Sequence, residues 1–279
     1  MRLVLYGGAL FVAIPLAFSS VLIRSMRAGS PQPPPPNYEV LALVSDGLKL
    51  RAWLGKGDPD KPVVVVIHGL GDSLESYVRH ARLFRERGYG ALLLDLRGHG
   101  ASEGAYTTLG GLESHDVRAA IQALRDRGLA SHGLLLMGHS MGAVAVLLAA
   151  DDQTDLRAVI VEAPYDTYRN TVTHHARLLY GLPAWVPIIP LAIHAAEWRA
   201  GFDADDVDGV RAAGRIRAPL LAIVDGADPR MTEAIVRRVF DAHPGPKHLW
   251  VADGVDHVGA IQHPDYRRQV IGFLEDNGL

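Results

Sequence analysis

The chain contains no cysteine. Disulfides, thiolate nucleophiles and cysteine-ligated metals are therefore excluded, although the compartment is left open. It carries little excess charge: a net charge of -3 over 279 residues gives no electrostatic pull toward nucleic acid. No glycine-rich turn leads into Gly-Lys-Ser/Thr, and no His-Glu-x-x-His occurs. A phosphate-binding loop and a zinc-protease helix are thus both missing. His174 and His175 are adjacent, which is the wrong spacing for a metal pair. Neither cofactor, metal nor nucleic acid is expected. No internal repeat is present.

What is present is apolar sequence in two unlike arrangements. Residues 3–23 contain no charged residue. As a helix, a run of about 20 such residues crosses about 30 Å of hydrocarbon. Residues 1–29 are therefore expected to form a single-pass transmembrane anchor, with a cleaved signal peptide as the alternative. Arg2 on one side competes with Arg24 and Arg27 on the other, so the side of the membrane is left open. Residues 30–37, Ser-Pro-Gln-Pro-Pro-Pro-Pro-Asn, predict a semi-rigid polyproline II spacer. Residues 38–279 are the expected globular domain, long enough for one large core.

Within that domain strands and helices alternate. Asp46-Gly47 between two β-prone runs predicts a hairpin. Continuous Val/Ile/Leu runs at 62–67, 90–95, 133–137, 156–162 and 219–224 predict strands buried on both faces. Amphipathic or apolar helical stretches fall between them, and Lys247 to Val251 predicts a last short strand. The pattern is that of an α/β fold: a mostly parallel sheet with helices on both faces and an antiparallel strand near its start. Residues 165–215 break the alternation. Three prolines interrupt the apolar stretch 182–191, so an inserted cap over the sheet is expected there. Trp185 and Ile188 are the residues through which such a cap would touch a bilayer.

Gly138-His139-Ser140-Met141-Gly142 stands between an apolar strand and an Ala/Val/Leu helix. In that setting G-x-S-x-G places a serine hydroxyl at a sharp strand–helix corner. The hydroxyl needs a base, and the base an orienting acid. Asp225-Gly226-Ala227-Asp228-Pro229 follows one late strand, and Asp253-Gly254-Val255-Asp256-His257 follows the next. Asp228 is assigned as the acid, with Asp225 the rival, and His257 as the base; Asp256 is read as a turn residue. The oxyanion would meet the N–H groups of Met141 and Leu70, the latter in His68-Gly69-Leu70-Gly71. His68 is read as bracing that loop. Asp95 and Arg97 are read as bracing the glycine-rich turn 95–104.

With these motifs in that order, the chain resembles the α/β-hydrolase superfamily. His68-Gly69-Leu70-Gly71 is similar to its oxyanion loop, and Gly138 to Gly142 to its nucleophile elbow. Asp228 and His257 fall where the superfamily keeps its acid and base. Asp46-Gly47-Leu48-Lys49-Leu50 and Glu162-Ala163-Pro164-Tyr165-Asp166 resemble a narrower branch, the membrane-anchored BEM46-like and serine-aminopeptidase-like hydrolases. Asp225 departs from the glycine that many relatives have. The resemblance implies an eight-stranded sheet and cofactor-free hydrolysis by a Ser-His-Asp triad. The expected activity is acyl ester cleavage on a small-molecule or lipid substrate, at the membrane. Thioesterase, acyltransferase and peptidase activities use the same triad, and a non-catalytic membrane-anchored binding module is the alternative of another class. Oligomeric state is not legible.

Overall fold

The computed structural model describes residues 13–27, 31–151, 153–183 and 186–279. Its centre is a sheet of eight strands: β1 (Glu39–Ser45), β2 (Leu48–Gly55), β3 (Val63–Ile67), β4 (Gly90–Leu94), β5 (Leu134–His139), β6 (Leu156–Glu162), β7 (Leu220–Asp225) and β8 (Lys247–Ala252). They lie in the order β1-β2-β4-β3-β5-β6-β7-β8. The β1–β2 hairpin and the β2–β4 pair are antiparallel, and every later pair is parallel. Parallel neighbours need long crossovers, and helices supply them: α2 (Val78–Arg85), α3 (Glu113–Asp126), α4 (Met141–Ala150) and α8 (Glu233–Ala242), while α9 (Tyr266–Asp276) follows the last strand.

Because side chains alternate across a strand, the Val run of β3 serves two cores. Val63, Val65 and Ile67 pack with Val117 of α3, Val146 of α4 and Val236 of α8. Val64 and Val66 face the opposite way, toward Phe84 of α2 and Val270 of α9. That double burial is why these strands read as unbroken apolar runs rather than alternating ones. A short turn leads into α2. Leu74–Tyr77 forms a 3-10 turn before it, with Leu74 N–H donating to the buried Asp95 carboxylate at 2.9 Å.

Between β6 and β7 the chain forms α5 (Tyr168–Tyr180), α6 (Ile188–Ala200), a short 3-10 turn and α7 (Gly209–Ala213). Thr167 caps α5 and Asp208 caps α7, each side chain accepting a backbone N–H. A further cluster joins Tyr165, Val172, Ile189 and Ile193 to Val144 of α4, fixing this segment to the helix that follows Ser140. Trp185 lies outside the described residues; Ile188 opens α6.

The amino-terminal segment differs from the free anchor and spacer that its sequence suggests. Residues 13–22 form a helix, α1, that lies against the domain. Ser19 and Ile23 are buried. Arg199 of α6 donates from Nη1 to the hydroxyls of Ser19 and Ser20 at 2.8 and 2.7 Å. Phe18 meets Tyr180 edge-on at 5.9 Å. Beyond α1, Thr107 N–H donates to Ile23 O at 3.1 Å, and Arg24 and Met26 form bridges with Tyr106 and His99. The proline-rich stretch also lies on the surface: Gln32 N–H donates to Glu75 Oε1, and its carbonyl accepts from Arg51 Nη1. A polyproline segment makes no internal hydrogen bonds, so its backbone groups are available to the surface beneath. Residues 1–12, the first half of the expected anchor, lie outside the described residues. Among the described residues no helix is long and apolar enough to cross a membrane.

One buried ion pair ties three parts of the fold together. Arg97, after β4, donates to Asp116 of α3 at 2.7 Å and to Asp46 of the β1–β2 turn at 2.8 Å. Arg97 and Asp116 are both buried. Removing one partner of such a pair leaves an uncompensated charge in the interior. Arg97→Ala is expected to lower the free energy of unfolding by about 3–5 kcal/mol. Urea unfolding monitored by far-UV dichroism checks this, and a loss under about 1 kcal/mol would refute it.

Candidate active site

Ser140 occupies the corner between β5 and α4 with φ 50° and ψ -115°. A side-chain-bearing residue is strained there, and its neighbours hold it. Ser140 N–H donates to Glu162 O at 2.8 Å, and Ser140 O accepts the N–H of Ala143 at 3.0 Å. The flanking glycines are required by space. A Cβ on Gly142 would lie 2.3 Å from His68 O, and one on Gly138 would lie 2.3 Å from Gly142 O.

The loops after β7 and β8 bring the acid and base to this corner. His257 Nε2 is 3.1 Å from Ser140 Oγ, and His257 Nδ1 is 2.6 Å from Asp228 Oδ2. With the proton on Nδ1, the imidazole donates to Asp228 and accepts from the serine hydroxyl. Asp228 Oδ1 accepts the N–H of Arg230 at 2.7 Å, which fixes the carboxylate's second oxygen. Burial alone would raise the Asp228 pKa, but the hydrogen bond and charge of His257 outweigh it and lower it. Asp256 accepts the N–H of His257 at 2.7 Å, as a turn residue does. Asp225 points elsewhere: its Oδ2 accepts the N–H of Val258 at 2.7 Å.

Leu70 and Met141 lie on the wall of the same cavity as Ser140 and His257. Among the described residues no backbone acceptor takes the N–H of either. The Leu70 loop is rigid because His68, beneath it, is fully engaged. Its Nδ1–H donates to Gly69 O at 2.7 Å and its Nε2 accepts the N–H of Leu96 at 3.0 Å. Burial pushes the His68 pKa down to about 3, so the ring is neutral, as this tautomer needs. Gly69 N–H in turn donates to the Tyr77 hydroxyl at 3.3 Å. The loop after β4 is braced by Asp95. Its carboxylate accepts Ala101 N–H and Arg51 Nε–H, both at 2.9 Å, besides Leu74 N–H.

Behind the serine is a polar layer that sequence reasoning did not assign to the site. Glu162 ends β6 and is fully buried, as is His139 in the second position of the motif. Glu162 Oε1 accepts the N–H of Ala260 at 3.2 Å, while Asp225 Oδ2 holds Val258. The two carboxyls therefore clamp the backbone just after His257. Glu162 Oε2 and Asp225 Oδ1 are both buried, and neither has a hydrogen-bond partner among the described residues. Burial first, and for Asp225 the Glu162 charge second, push both carboxyls well above the ordinary carboxylate range. Protonating either carboxyl relieves the burial of two like charges. His139 Nδ1 lies 3.0 Å from Glu162 Oε2, yet burial pushes its pKa down to about 3, so this contact is not an ion pair. The visible signal was a carboxylate ending an otherwise apolar strand.

Two groups among the described residues could hold a metal ion, their ligand atoms within 4.8 Å of one another: His80, His139 and Glu162, and Asp225, Asp228 and His257. The first is packed between the rings of Tyr77 and Tyr266, and the second contains the acid and base themselves. His174 and His175 instead contact backbone carbonyls, Pro229 O at 2.9 Å and Thr171 O at 2.8 Å.

These raised carboxyls have a thermodynamic consequence. Carboxyls whose folded pKa is raised take up a proton on folding once the unfolded chain has ionised, above about pH 4. Their contribution is intact below that pH and is lost as pH rises through the folded values, so stability should fall from pH 4 past neutrality. Asp225→Asn keeps the shape and removes one of the two raised carboxyls. It is expected to flatten this decline by up to about 1.4 kcal/mol per pH unit. Urea melts from pH 4.5 to 8.5 measure the slope, and parallel curves for the two proteins would refute the assignment.

The family model described as serine aminopeptidase, S33 matches residues 58–193. The protein YqkD of Bacillus subtilis is 28% identical over 221 residues, covering 76% of this chain and 71% of that one. Among solved structures, the Pyrococcus furiosus esterase Pf2001 superposes with a TM-score of 0.73 at 23% identity, covering 92% of this chain and 98% of its own. A bacterial membrane phospholipase A superposes with a TM-score of 0.63 at 17% identity, covering 99% of this chain and 96% of its own. At such identities the structural likeness speaks for the fold. With an elbow serine, the strand order above and a matched segment that runs from before the oxyanion loop into the cap, the chain has the α/β-hydrolase fold and is similar to serine hydrolases of that fold.

Proposed function

We propose that the protein is a carboxylesterase or lipase-like acyl hydrolase held at a membrane by its amino-terminal segment. The observation that carries the catalytic reading is the unbroken chain Ser140 Oγ, His257 Nε2, His257 Nδ1, Asp228 Oδ2, with gaps of 3.1 and 2.6 Å. His257 takes the Ser140 proton as the hydroxyl oxygen bonds to the acyl carbon. The N–H groups of Leu70 and Met141 hold the resulting oxyanion. The imidazolium, stabilised by Asp228, then returns its proton to the leaving alkoxide, and an acyl-enzyme forms. Water, deprotonated by His257, attacks that ester; the serine is reprotonated and the acid leaves.

An apolar acyl group suits the cavity, whose lining is largely apolar: Leu109, Val172, Ile189 and Met231 are among its walls. The esterase and phospholipase among the structural neighbours agree with an acyl ester. The membrane reading rests on the uncharged run 3–23. It is supported by exposed apolar side chains on α1 and the cap: Ile14, Leu16 and Val21, then Leu179, Tyr180 and Trp198. The motifs Asp46 to Leu50 and Glu162 to Asp166 are the ground for relating the chain to the membrane-anchored, BEM46-like branch.

A fluorophosphonate probe is expected to label the folded wild type and not Ser140→Ala, with p-nitrophenyl butyrate hydrolysed by the wild type alone. Absence of labelling would favour a non-catalytic binding module. Asp228→Asn should lose about 10⁴-fold in kcat; a loss under tenfold would assign the acid elsewhere. Thioesters, aminoacyl amides and acyl acceptors in the same screen separate the thioesterase, peptidase and transferase activities. For the membrane, the full chain should sediment with vesicles through an alkaline carbonate wash and be released by detergent. Recovery in the supernatant without detergent would overturn the tether.

A further inference from the structure

The cavity above Ser140 has one wall that the catalytic sheet and cap do not supply. Phe18, Val21 and Leu22 of α1 line it, opposite Val172 and Leu179 of α5 and Ile189 of α6. Ser140 and His257 belong to the same cavity, about 420 Å³ in volume, which is the size of a small-molecule site. Polar side chains are a minority of its lining: besides the catalytic pair, Asp72, Tyr77, Tyr165, Thr171, Tyr180, His175 and Arg230 reach it. The α1 helix is docked there by specific contacts. Arg199 bonds two of its hydroxyls, Ser19 and Ile23 are buried, and Phe18 stacks edge-on against Tyr180. Two of the lining residues, Val21 and Leu179, are also 59% and 60% exposed, so the cavity reaches the surface between apolar side chains. Such a rim suits a ligand arriving from an apolar phase.

We propose that α1 is the outer wall of an acyl-chain pocket, and that the substrate class is a long unbranched acyl ester of the lipid kind. Its chain lies between α1 and the cap helices while its carbonyl sits at Ser140. This rests on the serine-hydrolase reading above. Each methylene moved from water into an apolar pocket strengthens binding about fourfold, so a chain that reaches α1 gains with every carbon and a short one gains nothing from it. The segment that tethers the protein is thereby a determinant of what it cleaves.

The test uses the full chain in detergent micelles with p-nitrophenyl acetate and laurate. Wild type is expected to prefer laurate at least tenfold in kcat/KM. Leu22→Trp fills the pocket beside α1 and should cut the laurate-to-acetate ratio at least tenfold. Arg199→Ala, which lines no part of the cavity, should undock α1, cut the same ratio and leave acetate turnover unchanged. Equal changes on both esters in both variants, or a wild type blind to chain length, would overturn the wall while leaving the hydrolase reading intact. Should no ester be cleaved and no phosphonate react, the hydrolase reading fails, and the pocket is judged separately by calorimetry. Ser140→Ala protein should bind laurate, and adding Leu22→Trp should weaken that binding at least tenfold. Undiminished binding would refute the pocket.

Discussion

The site depends on one backbone constraint, the turn that takes the chain from β5 into α4 at Ser140. A residue with a side chain is held there at positive φ, and the turn closes only because Gly138 and Gly142 leave no Cβ in its way. Its position in the sheet does the rest. β5 sits beside β3 and β6, so the loop after β3 brings Leu70 alongside, and the end of β6 brings Glu162 O to the serine's own N–H. The serine is exposed to the cavity because the chain has no other way to turn there.

Around that corner the loops are rigid for a common reason. Each is hung on a buried side chain that accepts its backbone N–H groups. Asp95 takes Leu74 and Ala101, Asp228 takes Arg230, Glu162 takes Ala260, and Asp225 takes Val258. Buried polar groups are costly unless paired, so each such bond fixes both partners. The result is a base, His257, whose loop is clamped at its next few residues. The same device explains why Asp225 does not compete with Asp228 for the histidine. It is already occupied by Val258 N–H.

The amino-terminal segment joins two levels that sequence keeps apart. Its apolar character suits a bilayer, and part of it is spent on the protein itself, where Ile23 is buried and Phe18 and Leu22 face the cavity. Apolar side chains satisfy either surface, because the hydrophobic effect is non-directional. What fixes the docking is directional: the two hydroxyls of Ser19 and Ser20 against Arg199.

By itself the sequence determined the strand–helix alternation, the double-faced burial of the central strands, and the elbow at Ser140. Each is a local pattern of apolar spacing or glycine placement, legible over a few residues. Asp228 and His257 were also legible, since both follow late strands and parallel strands all deliver their carboxyl ends to one edge of the sheet. Only the tertiary structure decided that Glu162 and Asp225 hold the backbone after His257, that burial keeps His68 neutral, and that α1 lines the cavity. Those arrangements join residues up to about 180 positions apart, as Arg199 and Ser19 are. Nothing in local propensity records which distant groups will share a hydrogen bond or a wall.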